Sequence, residues 1–145
     1  MSALLIFDCD GVLVDSERLS HTVMQQMLSE LGVALTFHET VERFIGTSLP
    51  VCLARVQSLL SAPLPENFRS EFARRTRVAF LAGLTVVPGV DQVLASVRVP
   101  FCVASNGNRA KVDFSLGHTG LLPLFHGRIF TADDVRNPKP APDLF

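Results

Sequence analysis

The sequence predicts an α/β fold, a parallel sheet with a helical insertion after its first strand. Three observations predict it. A continuous apolar run, Ala3-Leu-Leu-Ile-Phe7, stops at Asp8 and suits a strand buried on both faces. From Glu17 to Gly83 the apolar residues recur with helical spacing. After Gly83, helical and strand-like segments alternate, the order of a layered core of sheet and helices.

The elements follow in order. Gly11 breaks the first strand. Leu19, Val23, Met27 and Leu31 recur every four residues and predict a first helix from Glu17, with Asp15 or Ser16 placed to cap it and Gly32 to end it. Thr36-Phe-His-Glu39 is a capping-box pattern, so a short second helix starts after Thr36 and stops near Gly46. Ser48 is placed to cap a third helix with Pro50 in its first turn, ending before Ser61-Ala-Pro63. A fourth helix is predicted over Glu66 to Leu81, with Phe68, Phe72 and Phe80 near one face.

Val87-Pro-Gly-Val90 reads as a turn into a short helix from Asp91 to Val97. Pro100-Phe-Cys-Val-Ala104 is a second buried strand that ends at Ser105-Asn106-Gly107, with a helix from Arg109 to Leu116 after it. Gly127-Arg-Ile-Phe-Thr131 is a third strand, and Pro138, Pro140 and Pro142 make the last fifteen residues an extended loop. The expected domains are a core of residues 1–16 and 84–145 and a four-helix insertion of residues 17–83.

Composition narrows the function classes. The chain has 145 residues, 48% of them apolar and 19% charged, which excludes intrinsic disorder. Thirteen Lys plus Arg against fourteen Asp plus Glu leave a net charge of −1, so no nucleic-acid partner is expected. The N-terminal apolar run is too short for a signal-peptide core and far short of the roughly 20 residues of a membrane span, so no membrane is expected. Cys9, Cys52 and Cys102 lack metal-site spacing, and His21, His38, His118 and His126 form no ligand cluster with them. Free thiols and a reducing, cytoplasmic location are the expectation.

Asp8-Cys-Asp10-Gly11-Val-Leu-Val-Asp15-Ser16 carries the strongest chemical signal. It follows the first strand, at the carboxyl edge where α/β sheets bind ligands. Alternation puts Asp8 and Asp10 on one side and Cys9 on the other. Two carboxylates so close repel unless a cation joins them or one takes a proton, and a hard cation such as magnesium suits such a pair. Capping of a helix within a solvated turn is the plainer alternative, but it leaves unexplained why two acids end the most apolar strand. Gly11 allows a sharp turn and close approach of a ligand to the backbone.

These residues resemble the first motif of haloacid dehalogenase-like (HAD) hydrolases. Ala104-Ser105-Asn106 after a strand resembles the second motif, Lys139-Pro-Ala-Pro-Asp143 resembles the third, and Pro88-Gly89 resembles the return from cap to core. Within that family the chain most resembles the helical-capped sugar-phosphate phosphatases and β-phosphoglucomutase-like proteins. The resemblance implies a Rossmann-like core, incomplete at its C-terminal side, with residues 17–83 as a helical cap domain.

It also implies roles. Asp8 would be the nucleophile that becomes an aspartyl-phosphate, and Asp10 the acid and base. Asp8 and the Asp10 carbonyl would ligate Mg2+, and Lys139 would neutralise charge on Asp8 and the phosphoryl group. Gly11, Ser105 and the Asn106 amide would hold phosphate, and Arg43 and Ser48 would face the substrate from the cap. The implied function is a magnesium-dependent phosphatase acting on a small phosphorylated metabolite. The alternatives are a phosphomutase using the same intermediate and a truncated, non-catalytic remnant that binds a partner. The family's fourth motif, an acidic pair after a further strand, has no counterpart before Phe145. A fragment of a longer protein is therefore expected, with an open sheet edge through which it self-associates.

Overall fold

The computed structural model describes residues 3–145. In chain order the elements are β1 (Leu5–Phe7), α1 (Ser16–Glu30), α2 (Phe37–Phe44), α3 (Leu49–Leu59), α4 (Phe68–Gly83), α5 (Val90–Ser96), β2 (Phe101–Ser105), α6 (Arg109–His118) and β3 (Ile129–Thr131). Short 3-10 turns lie at Leu122–Phe125, Ala132–Asp134 and Pro142–Leu144, so the C-terminal stretch is less extended than its prolines suggest. The backbone divides into two compact units, Met1–Ser16 with Leu84–Phe145, and Glu17–Gly83.

The first unit is built on a parallel sheet of order β1-β2-β3. Leu5 stands opposite Phe101 and Phe7 opposite Val103, while Val103 pairs with Ile129 and Ser105 with Thr131. Val103, Leu116 and Phe125 are fully buried, and Val112 and Ala104 nearly so. Phe125 meets Phe101 edge-on at 5.3 Å between ring centres and Phe7 at 6.3 Å, which closes one side of the sheet with aromatic contacts. The expectation that the first strand is buried on both faces is corrected. Leu5 and Ile6 are 42% and 41% exposed, because β1 has a sheet partner on one side only among the described residues.

Two segments of this unit run side by side where the chain leaves for residue 17 and returns after residue 83. Val14 and Val86 form an antiparallel bridge, the Asp15 amide donates to the Thr85 carbonyl at 2.9 Å, and the Val87 amide donates to the Leu13 carbonyl at 3.0 Å.

The second unit contains α1–α4. Its core gathers Val23, Met24, Met27 and Leu28 from α1 with Phe44, Val56 and Phe68 from the other helices. Four of these lie on one stripe of α1, as the four-residue spacing requires. Truncating fully buried Leu28 to Ala costs about 2–5 kcal/mol by the usual loss of contacts and cavity formation. The Thr36–Glu39 capping box is present, with the Glu39 amide donating to Thr36 Oγ1 at 3.2 Å and the Thr36 amide donating to Glu39 Oε2 at 2.8 Å. The Thr36 amide and, at 2.7 Å, the Thr36 hydroxyl both donate to Glu39 Oε2 and hold its carboxyl below the ordinary range.

Ser48 departs from expectation. It occupies the N-cap of α3 but makes no side-chain capping hydrogen bond. Ser16 is the first residue of α1, and its hydroxyl donates to Asp10 Oδ1 at 2.7 Å.

Candidate active site

The site grows from the carboxyl end of the sheet in the first unit. After β1 the chain turns back on itself: the Leu13 and Val14 amides donate to the Cys9 carbonyl at 2.9 and 3.2 Å, and Gly11 adopts a φ of 72° that favours glycine. The turn buries Cys9 to 1% exposure and leaves Asp8 and Asp10 on the open side. Burial pushes the Cys9 thiol up to about 12, with nearby Asp10 adding to the rise. Cys9 is therefore a neutral packing residue.

The two carboxylates have separate partners. One Asp8 oxygen, Oδ1, accepts from the Cys9 amide at 2.7 Å, and the other lies 3.1 Å from Lys139 Nζ. Asp10 Oδ1 accepts from the Ser16 hydroxyl at 2.7 Å and lies 2.9 Å from Lys111 Nζ. Sequence reasoning did not single out Lys111. A lysine near the start of a helix reads as solvated, and only the packing of α6 beside the β1 turn reveals its neighbour. The sequence signal available was that Lys111 and Lys139 are the two lysines of the chain.

At the end of β2, Ser105 is 1% exposed, and its Oγ accepts from the Gly107 amide at 3.0 Å. Gly107 has little room for a side chain. A Cβ there would stand 3.1 Å from Val112 Cγ2, 3.3 Å from Ser105 Oγ and 3.6 Å from Asp10 Oδ2. The glycine thus lets the β2 turn close against the Asp10 side.

Lys139 arrives from the proline-rich loop. Its ammonium donates to the Ala104 carbonyl at 2.9 Å as well as facing Asp8. Its backbone is gripped by the Asn106 side chain, whose Oδ1 accepts from the Lys139 amide and whose Nδ2 donates to the Lys139 carbonyl, both at 2.8 Å. Sequence reasoning considered the Asn106 backbone amide and missed this use of the side chain. Asp143 steadies the same loop by accepting from Asn137 Nδ2 at 3.0 Å.

Asp133 and Asp134 line the approach to the loop. Asp133 Oδ2 accepts from the Arg109 amide at 2.7 Å. Asp134 accepts from the Thr131 amide at 2.7 Å and from Arg109 Nη2 at 2.8 Å, and the Thr131 hydrogen bond holds its carboxyl below the ordinary range.

The structure therefore gathers Asp8, Asp10, Gly11, Ser105, Asn106 and Lys139 in the first unit. Arg43 and Ser48 belong to the second. There the Arg43 carbonyl accepts from Arg55 Nη1, and Arg43, Phe44, Arg55, Ser58 and Leu59 line a groove of about 250 Å³. The basic run of α4 is a surface network: Glu71 takes both Arg74 and Arg75, at 2.8 and 2.7 Å, and its carboxyl is held down to about 2 by those hydrogen bonds. Among the described residues no group of three His, Cys, Asp or Glu side chains could hold a metal, and no helix is long and apolar enough to cross a membrane.

A family model described as haloacid dehalogenase-like hydrolase matches residues 5–145. The chain is 32% identical over 145 residues to 6-phosphogluconate phosphatase of Escherichia coli K12, covering 97% of this chain and 64% of that protein. A solved haloacid dehalogenase-like protein of unknown function from Agrobacterium tumefaciens C58 superposes with a TM-score of 0.89 at 33% identity, covering 100% of this chain and 66% of that one. A HAD family hydrolase from Deinococcus radiodurans R1, solved with bound phosphate and sodium, superposes with a TM-score of 0.76 at 30% identity, covering 99% and 64%. The chain thus spans just under two thirds of the length of each of these three proteins.

Proposed function

The chain belongs to the haloacid dehalogenase-like hydrolase family, and from that premise we propose that it is the catalytic part of a phosphatase for a small phosphorylated metabolite, of the sugar-phosphate kind. One observation carries this reading: Lys139 Nζ stands 3.1 Å from Asp8 Oδ2, bringing a cation from the C-terminal loop to a carboxylate from the first strand. Likeness to a 6-phosphogluconate phosphatase and to a phosphate-bound hydrolase supports it.

In this reading Asp8 attacks phosphorus, and the bond from phosphorus to the ester oxygen breaks. The phosphoryl group passes to Asp8 as an aspartyl-phosphate. Asp10 gives the departing oxygen a proton from Oδ2, the oxygen opposite the one held by Ser16 and Lys111, and then takes a proton from the water that hydrolyses the intermediate. Lys139 offsets the repulsion between the Asp8 carboxylate and the phosphate dianion. The Ser105 hydroxyl and the turn at Asn106 and Gly107 hold the phosphoryl oxygens. Residues 17–83 act as the cap, with Arg43 and Ser48 reading the rest of the substrate.

The donor set fits magnesium. The Asp8 carboxylate and the Asp10 carbonyl are hard oxygen donors, and this ion is commonly held by one or two carboxylates completed by water and substrate phosphate. When bound it would supply positive charge between Asp8 and the phosphate.

The test is a panel of sugar phosphates and phosphorylated sugar acids, assayed for released phosphate with magnesium present and absent. Release by the wild type and none by Asp8→Asn supports the reading. Isomerised sugar phosphate without free phosphate would mark a phosphomutase instead, and near-normal turnover by Asp8→Asn would overturn the nucleophile.

A further inference from the structure

We infer that Asn106 is a positioning residue for Lys139, acting through its side-chain amide on the backbone of the C-terminal loop; the inference rests on the phosphatase reading for its catalytic consequence alone. A primary amide presents one acceptor and one donor side by side. Asn106 matches them to the N–H and C=O of a single residue, both at 2.8 Å. The two residues are far apart in sequence, so this pair of bonds closes a long connection and is no local turn.

The ammonium of the same lysine is fixed at two further points, the Ala104 carbonyl at 2.9 Å and Asp8 Oδ2 at 3.1 Å. Ala104 and Asn106 flank Ser105 at the end of β2. The strand end thus holds Lys139 by backbone and side chain together. Lysine has a flexible four-carbon stem, so its ammonium meets Asp8 and Ala104 together only while the main chain that carries it is held in register with β2. The prolines on either side of Lys139 stiffen the loop but form no bond to β2; Asn106 supplies that registration.

Other residue types do not substitute. Alanine removes both bonds. Aspartate retains the acceptor for the Lys139 amide but turns an oxygen toward the Lys139 carbonyl, so the grip is lost on one side and repulsive on the other.

Lysine labelling tests this without turnover, because the chain has two lysines, Lys111 and Lys139. An amine-reactive reagent is applied to wild type, Asn106→Ala and Asn106→Asp, and each lysine is quantified by mass spectrometry. Asn106 is exposed, so water competes for its partners, and removing the pair of bonds is expected to raise Lys139 labelling by about three- to tenfold. Lys111 labelling is expected to stay constant. Amide hydrogen exchange on the unaltered chain gives a second reading: the Lys139 amide, held by Asn106 Oδ1, exchanges slowly. In the phosphatase assay the same variants lose kcat by about tenfold or more with little change in KM, since displacement of about 1 Å at a reacting group can cost up to 10²-fold.

A selective rise at Lys139 supports the inference. An equal rise at both lysines, which loosening of the whole unit would cause, overturns it, as does no rise, or an unprotected Lys139 amide. If labelling responds selectively but kcat does not, the clamp stands and the role of Lys139 in the proposed reaction fails.

Discussion

Lys111 Nζ lies 2.9 Å from Asp10 Oδ1, the same oxygen that accepts the Ser16 hydroxyl at 2.7 Å. Each lysine of the chain thus faces one of the two aspartates that follow β1. Lys111→Met should lower kcat, because Asp10 then has one holder instead of two, and Lys111→Arg should restore most of the loss. The melting temperature should move little, since a partly exposed ion pair contributes about 1 kcal/mol or less. Paired kinetic and thermal measurements check this. Equal kcat in the Met variant and wild type would contradict it.

Asp10→Asn should slow turnover by about 10²–10⁴-fold, the usual contribution of general acid–base catalysis. The loss should be larger for alkyl phosphates than for 4-nitrophenyl phosphate, whose leaving group departs without a proton. Steady-state rates on both ester types check this. A uniform loss on the two would remove Asp10 from the acid role.

How much of this was legible in the sequence differs by residue. The α/β order was legible because runs such as Phe101-Cys-Val-Ala104 and the α1 stripe of Val23, Met27 and Leu28 carry their period in the chain itself. The Thr36 cap was legible because its partner is three residues away. The Asp10 contact with Lys111 was not, since Lys111 is ordinary in its local context and the two meet only when α6 packs beside the β1 turn. The Asn106 grip on Lys139 was hidden for the same reason, the two lying on different segments. The apolar run of β1 suggested burial on both faces, while the absent fourth motif pointed to an open sheet edge; Leu5 and Ile6 are half-exposed on a strand at the edge of the described sheet.

Arg43→Ala and Ser48→Ala should reorder the preferred substrates while leaving the rate on a small generic phosphate ester nearly unchanged. Ser48 makes no side-chain cap for α3, so its loss carries no helix-capping penalty. A substrate panel assayed on both variants checks this. The same ranking as wild type would take both residues out of the recognition surface.

Cys9 should resist alkylation by iodoacetamide at pH 8 in the native chain and react once urea exposes it. Burial raises its thiol from about 9 to about 12, so almost no thiolate forms in the folded state. The sign for stability follows. The unfolded thiol ionises first, so the contribution is intact below about pH 9 and is lost as pH climbs toward 12. Mass spectrometry of timed aliquots checks the first statement and urea melts from pH 7 to 11 the second. Rapid native labelling of Cys9 would contradict both.

The bridge between Val14 and Val86 has a consequence for the order in which the protein is made. β1 leaves the ribosome well before its partner β2, which begins only at Phe101. At about 5–20 residues per second, β1 waits on the order of 10 s for the strand it pairs with. Residues 17–83 are contiguous and are synthesised in full during that delay. The nascent chain therefore carries a finished helical unit on an unfinished sheet, and the first nucleating contact open to β1's flank is the ribbon of residues 13–15 with 85–87. That ribbon draws the two ends of the insertion together before β2 exists, shortening the loop that β1 and β2 must later close. Co-translational folding then starts in the middle of the sequence and finishes at the sheet, with Asp8 and Asp10 made well before the segments that bring their partners Lys111 and Lys139.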